Sequence, residues 1–324
     1  MLATVLVILG GLAPAADPGE TPLKGVRRVV FLGDSITYAG RYVEFVEAYL
    51  RARYPDFRVE FLDLGLPSET VSGLSEPGHA GGEFPRPVLR ERLGRVLAQT
   101  KPDLIVACYG MNDGIYHPFA EGRLETFRAG LRELRAKAEA AGAKVVHLTP
   151  PVFDPLPIKA DTLPQGLAEY RKPYFGYDEV LERYSDWLLA RRRDGWDVVD
   201  VHGPMRALLD RRREKNPAFA LAKDGVHADD AGHWLIARQL LMFWGVPAVD
   251  LPEAETGAAV ISRLPHGADV MKLVSERQRL LKDAWLTATG HARPGMKPGW
   301  PLDKAERTAA DLETQVRNLT MKTP

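Results

Sequence analysis

Five short runs rich in Val, Ile, Leu and Phe recur along the chain, at residues 28–32, 58–64, 103–109, 144–148 and 197–201. Between them apolar residues return at helical spacing, over 42–53, 87–99, 124–140 and 178–193, and after the last of them over 205–213. A further stretch of that kind, 231–244, follows the fifth run. The short runs read as strands and the longer periodic stretches as helices with one buried face. Alternation of strand and helix predicts a parallel sheet covered on both faces and wound by right-handed crossovers. Gly142 and Gly195 fall just past two of the helices, where glycine commonly ends a helix.

Two segments depart from this alternation. Residues 149–177 form a long connection containing prolines and the aromatics Phe153, Tyr170, Tyr174, Phe175 and Tyr177. Connections of that length are usually functional or ordered in their own right. Residues 246–324 extend past the last helix of the main domain, 21–245, with two helix-like stretches, 268–287 and 302–319, joined by the Gly/Pro-rich 291–301. This extension carries no internal repeat and no catalytic motif, and is expected to pack against the main domain.

The N-terminus is apolar from Leu2 to Ala13 and then turns small and proline-containing. Ala13-Pro14-Ala15 fits a signal-peptidase site, and the apolar stretch is short for a stable membrane span. Residues 1–16 therefore read as a signal peptide, although no Lys or Arg precedes the apolar core. The expected location is the periplasm or the medium, with the mature fold starting near Thr21. Formal net charge is zero, from 43 basic and 43 acidic side chains, which argues against a nucleic-acid partner. The runs Arg191-Arg192-Arg193 and Arg211-Arg212-Arg213 read as solvated helix faces. Cys108 is the single cysteine, so no intrachain disulfide can form. It lies in the third apolar run with no cation beside it, as a buried structural thiol would.

Candidate chemistry sits where strands end. Ser35, in Gly33-Asp34-Ser35, directly follows the first run. Gly110-Met111-Asn112-Asp113 follows the third, and Asp224-Gly225-Val226-His227 follows the fifth run and its helix. In an open α/β sheet ligands bind at the carboxyl ends of strands. Serine hydrolysis needs a nucleophile, a base, a group that orients the base and donors for the oxyanion. The Asp-x-x-His spacing lets the Asp224 carboxylate reach one ring nitrogen of His227 and leaves the other to face Ser35. The amide N–H of Asn112 can donate to a developing oxyanion. Each piece alone has a plainer reading, as a helix cap, a surface histidine or a turn. Their joint occurrence in this order is far harder to obtain by chance.

The three blocks make residues 28–245 resemble the SGNH (GDSL-type) hydrolases. The resemblance implies Ser35 as nucleophile, His227 as base, Asp224 as its orienting acid and Asn112 as oxyanion donor. It implies a flavodoxin-like three-layer α/β/α sandwich with a five-stranded parallel sheet, and neither metal nor cofactor. One block departs from the family. Where a glycine N–H would supply the second oxyanion donor, the stretch reads Asp63-Leu64-Gly65-Leu66-Pro67-Ser68-Glu69-Thr70. Aligned on Thr70, Ser68 takes the glycine position; Gly65 is the alternative donor.

The loop 73–87, with Glu76 and His79, emerges on the same side and could wall an acyl or alcohol pocket together with 149–177. A metal reading of His227, Asp229, Asp230 and His233 competes with a plainer one, in which the aspartates cap and start the last helix. The expected function is a serine ester hydrolase acting through an acyl-enzyme on short-acyl, acetyl-type esters of carbohydrate. The alternatives are an acyltransferase, or a catalytically weak carbohydrate-binding protein on the same fold, which only the serine at position 68 favours.

Overall fold

The computed structural model describes residues 21–253 and 256–321. The expected leader, 1–16, lies outside them. Strands β1 (Arg28–Gly33), β2 (Glu60–Asp63), β3 (Leu104–Cys108), β4 (Lys144–Leu148) and β5 (Asp197–Val199) form one sheet in the order β2-β1-β3-β4-β5, every neighbouring pair parallel. This is the flavodoxin-like order. Val29 to Leu32 in β1 and all of β3 are buried, as central parallel strands covered on both faces must be. From β1 the chain first steps outward to β2, then passes back over β1 to β3. The direction of winding reverses there, and a crevice opens between the carboxyl ends of β1 and β3.

The sheet is covered on both sides by α2 (Arg41–Arg53), α3 (Leu89–Thr100), α4 (Glu121–Ala140), α5 (Tyr177–Ala190), α6 (His202–Arg213) and α7 (Asp230–Phe243). A four-residue helix, α1 (Ser35–Tyr38), follows β1 directly. The fifth strand ends two residues before the apolar run does. Thr149 Oγ1 accepts from the N–H groups of Val201 (2.7 Å) and His202 (2.9 Å), drawing the chain into α6 ahead of Met205, where the helical pattern starts.

The long 149–177 connection is ordered by its own ties. The Asp154 N–H donates to Gly225 (2.8 Å) and its carboxylate pairs with Arg213 (2.5 Å), while the Phe153 N–H donates to Asp178 (2.8 Å). The arginine runs are therefore more than solvated faces. Arg213 anchors this connection, and Arg192 donates to the Val198 carbonyl at 2.8 Å.

Residues 256–321 form α8 (Gly257–Ile261), α9 (Gly267–Thr289) and α10 (Leu302–Thr320). Helix α9 lies on α2 and on β2, the sheet's edge strand, and α10 packs on α9. Gln278 Nε2 donates to the outward carbonyl of Phe61 at 2.9 Å, so the extension satisfies an edge group that pairing leaves open. Beside it Glu47, fully buried, accepts from Arg51 (2.7 Å), Gln278 (2.5 Å) and Arg277. Burial alone would push this carboxyl up; Arg277 and Arg51 outweigh it and hold it below the usual range. Helix α9 also grips α1. Lys282 Nζ donates to the Tyr38 carbonyl at 2.6 Å and stands 4.0 Å over its ring, and the Tyr38 hydroxyl donates to Asp283 at 3.3 Å.

Candidate active site

Ser35 owes its position to the tight passage from β1 into α1. A Cβ on Gly33 would lie 2.1 Å from Thr37 Oγ1 and 2.7 Å from the Cys108 carbonyl, so only glycine lets α1 fold back over the end of β3. Asp34 then caps the helix, its Oδ1 accepting from the Ile36 N–H at 2.9 Å. Ser35, the first residue of α1, therefore stands at the crevice, and its own N–H is a first-turn donor without an intrahelical acceptor.

His227 arrives from the far end of the chain. Its Nε2 is 2.8 Å from Ser35 Oγ, and its Nδ1 is 2.6 Å from Asp224 Oδ2. A carboxylate only accepts, so Nδ1 carries the proton and Nε2 presents its lone pair to the serine hydroxyl. The other oxygen of Asp224 accepts from the N–H groups of Val226 (3.0 Å) and His227 (2.8 Å), which closes the four-residue loop on itself. Partial burial raises this carboxyl, but the bonds from the His227 ring and the two amides outweigh it and hold the group below its ordinary range. Both side chains remain about half exposed, 50% and 56%, so the serine can be approached from solvent.

Asn112 lies buried beyond β3. Its Nδ2 donates to the Glu69 carbonyl (3.3 Å), and its Oδ1 accepts from Arg86 Nη1 (2.8 Å) and the Tyr116 hydroxyl (3.3 Å). The two candidates for the remaining donor separate clearly. Gly65 has its N–H tied to Asp63 at 2.9 Å, and a Cβ there would come within 2.3 Å of the Tyr38 N, so this glycine serves close packing against α1. Ser68 takes φ 69°, the left-handed conformation glycine would adopt without strain, at a cost of about 1 kcal/mol for a residue with a Cβ. Among the described residues nothing accepts from its N–H.

The turn that holds Ser68 rests on groups that no motif marks. Glu69, fully buried, receives Arg92 Nε (2.6 Å) and Nη2 (2.7 Å) and the Tyr109 hydroxyl (2.6 Å), and Arg92 also donates to the Leu64 carbonyl at 2.7 Å. Burial pulls the Arg92 guanidinium down, and the Glu69 carboxylate more than restores it. Asp113, beside Asn112, accepts from the N–H groups of Val71 (2.9 Å) and Ser72 (2.8 Å), so the third block holds the segment after β2 in place.

Asp34 is buried next to Ser35. Burial pushes its carboxyl up to about 7, against the Ile36 N–H, with Asp113 adding to the rise and His227 and Arg86 opposing it. A carboxyl raised on folding stabilises the fold while protonated, and that contribution is lost as pH rises through about 7. Asparagine is as good a helix cap as aspartate and cannot ionise. Asp34→Asn is expected to lose several degrees less of melting temperature than the natural protein between pH 5 and pH 9. Parallel losses in thermal scans at the two pH values would show that Asp34 does not titrate in that window.

A cavity of about 910 Å³ lies between the 73–87 loop and the 149–177 connection, with Glu76, Arg86, Tyr116, His117, Tyr170 and Lys172 in its wall. Arg86 and Tyr116 touch Asn112 as well, so cavity and candidate site share a wall. The acids and histidines around His227 have other employment. Asp229 caps α7 through the Gly232 N–H (3.0 Å), Asp230 pairs with Arg41 (3.1 Å), and buried His233 stacks on Tyr42. Cys108 is buried at the end of β3, and burial pushes its thiol well up.

Residues 31–235 match the model of the GDSL-like lipase/acylhydrolase family. Among solved structures, the chain is similar to a gut microbial diltiazem-metabolizing enzyme, with 22% identity and a TM-score of 0.55 over 70% of this chain and 48% of that one. This chain thus spans about half the length of that enzyme. It is also similar to an acetylxylan esterase from Geobacillus stearothermophilus, with 21% identity and a TM-score of 0.50 over 68% of this chain and 95% of the esterase. At these identities the likeness speaks to the fold. The sequence matches no curated protein.

Proposed function

This chain belongs to the GDSL-like lipase/acylhydrolase family of carboxylic ester hydrolases, and from that premise we propose that Ser35 is the nucleophile of a serine esterase acting on short-acyl esters of carbohydrate. The observation that carries the reading is the unbroken line from Ser35 Oγ through the His227 ring to Asp224, at 2.8 and 2.6 Å. Ser35 Oγ attacks the ester carbonyl as its proton passes to His227 Nε2, and Asp224 stabilises the imidazolium. Asn112 Nδ2 and the backbone N–H groups of Ser35 and Ser68 are the donors available to the oxyanion, each of the order of 3 kcal/mol of barrier. His227 returns the proton to the leaving alcohol. A water, deprotonated by the same ring, then releases the acid.

The carbohydrate preference rests on the adjoining cavity. His117 and Tyr170 offer ring faces for sugar C–H groups, and the charged lining offers partners for hydroxyls. The acetylxylan esterase that shares this fold acts on such an ester. The binding-protein alternative is the less favoured reading, since Ser68 takes φ 69°, a conformation open to glycine, and can still present its N–H.

A fluorophosphonate probe is expected to add one adduct, mapped to the peptide carrying Ser35. With p-nitrophenyl esters, kcat/KM is expected to fall at least tenfold from acetate to octanoate, and acetylated xylan fragments to release acetate. An adduct elsewhere would remove Ser35 from its role, and a preference for octanoate would remove the carbohydrate reading. Ester products formed with added alcohols would point to the transferase.

A further inference from the structure

Asn112 could present either end of its carboxamide to a reacting carbonyl, and only the Nδ2 end can donate. Arg86 and the Glu69 carbonyl decide between them, and the Arg86 bond is the shorter. A guanidinium has donors and no acceptor, so the atom that meets Arg86 Nη1 at 2.8 Å must be Oδ1, and Nδ2 must turn the other way. The Tyr116 hydroxyl adds a second donor to the same oxygen at 3.3 Å. Nδ2 then spends one hydrogen on the Glu69 carbonyl and keeps the other.

Arg86 is itself held firmly. Its Nε and Nη2 make a two-pronged pair with Glu76, at 2.7 and 2.6 Å, its N–H donates to Ser75 Oγ at 2.9 Å, and its guanidinium lies over the Tyr116 ring. The backbone beneath that ring is strained. Ile115 and Tyr116 take φ 49° and 56°, consecutive left-handed residues that both have a Cβ, and the first is β-branched. Glu76, Arg86 and Tyr116 also wall the 910 Å³ cavity.

We propose that Arg86 is a positioning residue that holds Asn112 in the donating orientation. The proposal rests on Ser35 being the nucleophile and Asn112 an oxyanion donor. Two consequences follow. Arg86 acts through Asn112 and not on substrate directly, so its loss should cost rate rather than binding of a small ester. It should also cost nothing further once Asn112 is gone.

A double-mutant cycle with p-nitrophenyl acetate tests both, using Arg86→Leu, Asn112→Ala and the pair. Arg86→Leu is expected to lower kcat about 10- to 100-fold with KM changed less than about threefold, and Asn112→Ala to lower kcat about 100-fold. The pair should be no slower than Asn112→Ala alone, within about threefold. Arg86→Lys, which keeps one donor toward Oδ1 but not the fork, should recover part of the rate. It also takes the place of Arg86→Leu in the cycle should the latter fail to fold. Effects that multiply in the pair, or a loss confined to KM, would overturn the positioning role. Ser35→Ala run in parallel separates the two readings: multiplying effects with Ser35→Ala inactive overturn the role of Arg86 alone, whereas an active Ser35→Ala overturns both.

Discussion

Ser35→Ala is expected to lower kcat for p-nitrophenyl acetate by about 10⁴-fold or more, because groups of a nucleophile–base–acid unit act together. The melting temperature should stay within about two degrees of the natural protein's, since among the described residues the serine hydroxyl bonds only the half-exposed His227 ring. His227→Ala should be nearly as damaging, and the double variant no worse than either, because a base without a nucleophile has nothing to do. Asp224→Asn should cost less, of the order of 10²–10⁴-fold, by letting the ring turn and lose its tautomer. Residual turnover would come from the oxyanion donors, which none of these changes touches. Steady-state kinetics on the four proteins decide the matter. A Ser35→Ala protein within tenfold of the natural rate would end the assignment.

The second large effect is on stability, at a pair the chemistry does not use. Arg92→Ala is expected to cost about 3–5 kcal/mol, because it leaves the Glu69 carboxylate buried without its cation. Against a total of about 5–15 kcal/mol, this is a large share. It should appear as a lower urea midpoint with an unchanged slope, and as a melting temperature lower by about 6–20 °C. Substituting both partners with apolar residues of similar volume should cost much less, since much of the single-variant penalty is the stranded charge. The pair also shapes the turn that carries Ser68. A surviving Arg92→Ala protein should therefore lose kcat as well, and undiminished kcat and stability together would mean that the turn holds itself.

The order of elements was legible in the sequence because parallel strands covered on both faces are written as apolar runs, and five such runs can be counted directly. Ser35, Asn112 and the Asp224–His227 pair stood out because each ends a strand or opens a helix in that pattern. Less visible were the groups that hold them. Glu69 and Arg92 lie 23 residues apart, and nothing in local spacing says that they meet. One signal was available. Arg92 sits on the stripe of α3 formed by Leu89, Leu93, Val96 and Leu97, and a charge on the apolar face of a helix needs a buried partner. The same test finds Glu47, inward on α2 among Val43, Val46 and Leu50. It does not find Arg86, which lies in a loop, where no periodicity exists to be broken. Ser68 shows the reverse difficulty: backbone conformation is not encoded by the residue alone, and a serine can be held where glycine is usual.

Glu47 also bears on where this protein can be cut. The family match stops at residue 235, and a boundary drawn from it would discard α9. Arg277 and Gln278, two of the three partners of buried Glu47, would go with it, and with Gln278 the donor to the Phe61 carbonyl; so would Lys282, which grips the helix that carries Ser35. Similarity to relatives marks what the family shares, whereas cooperative folding is decided by which charges and edges would be left open. For expression, crystallisation or grafting of this scaffold, the smallest sensible unit therefore runs through the helical tail. In that sense the tail belongs to the same folded body as the sheet.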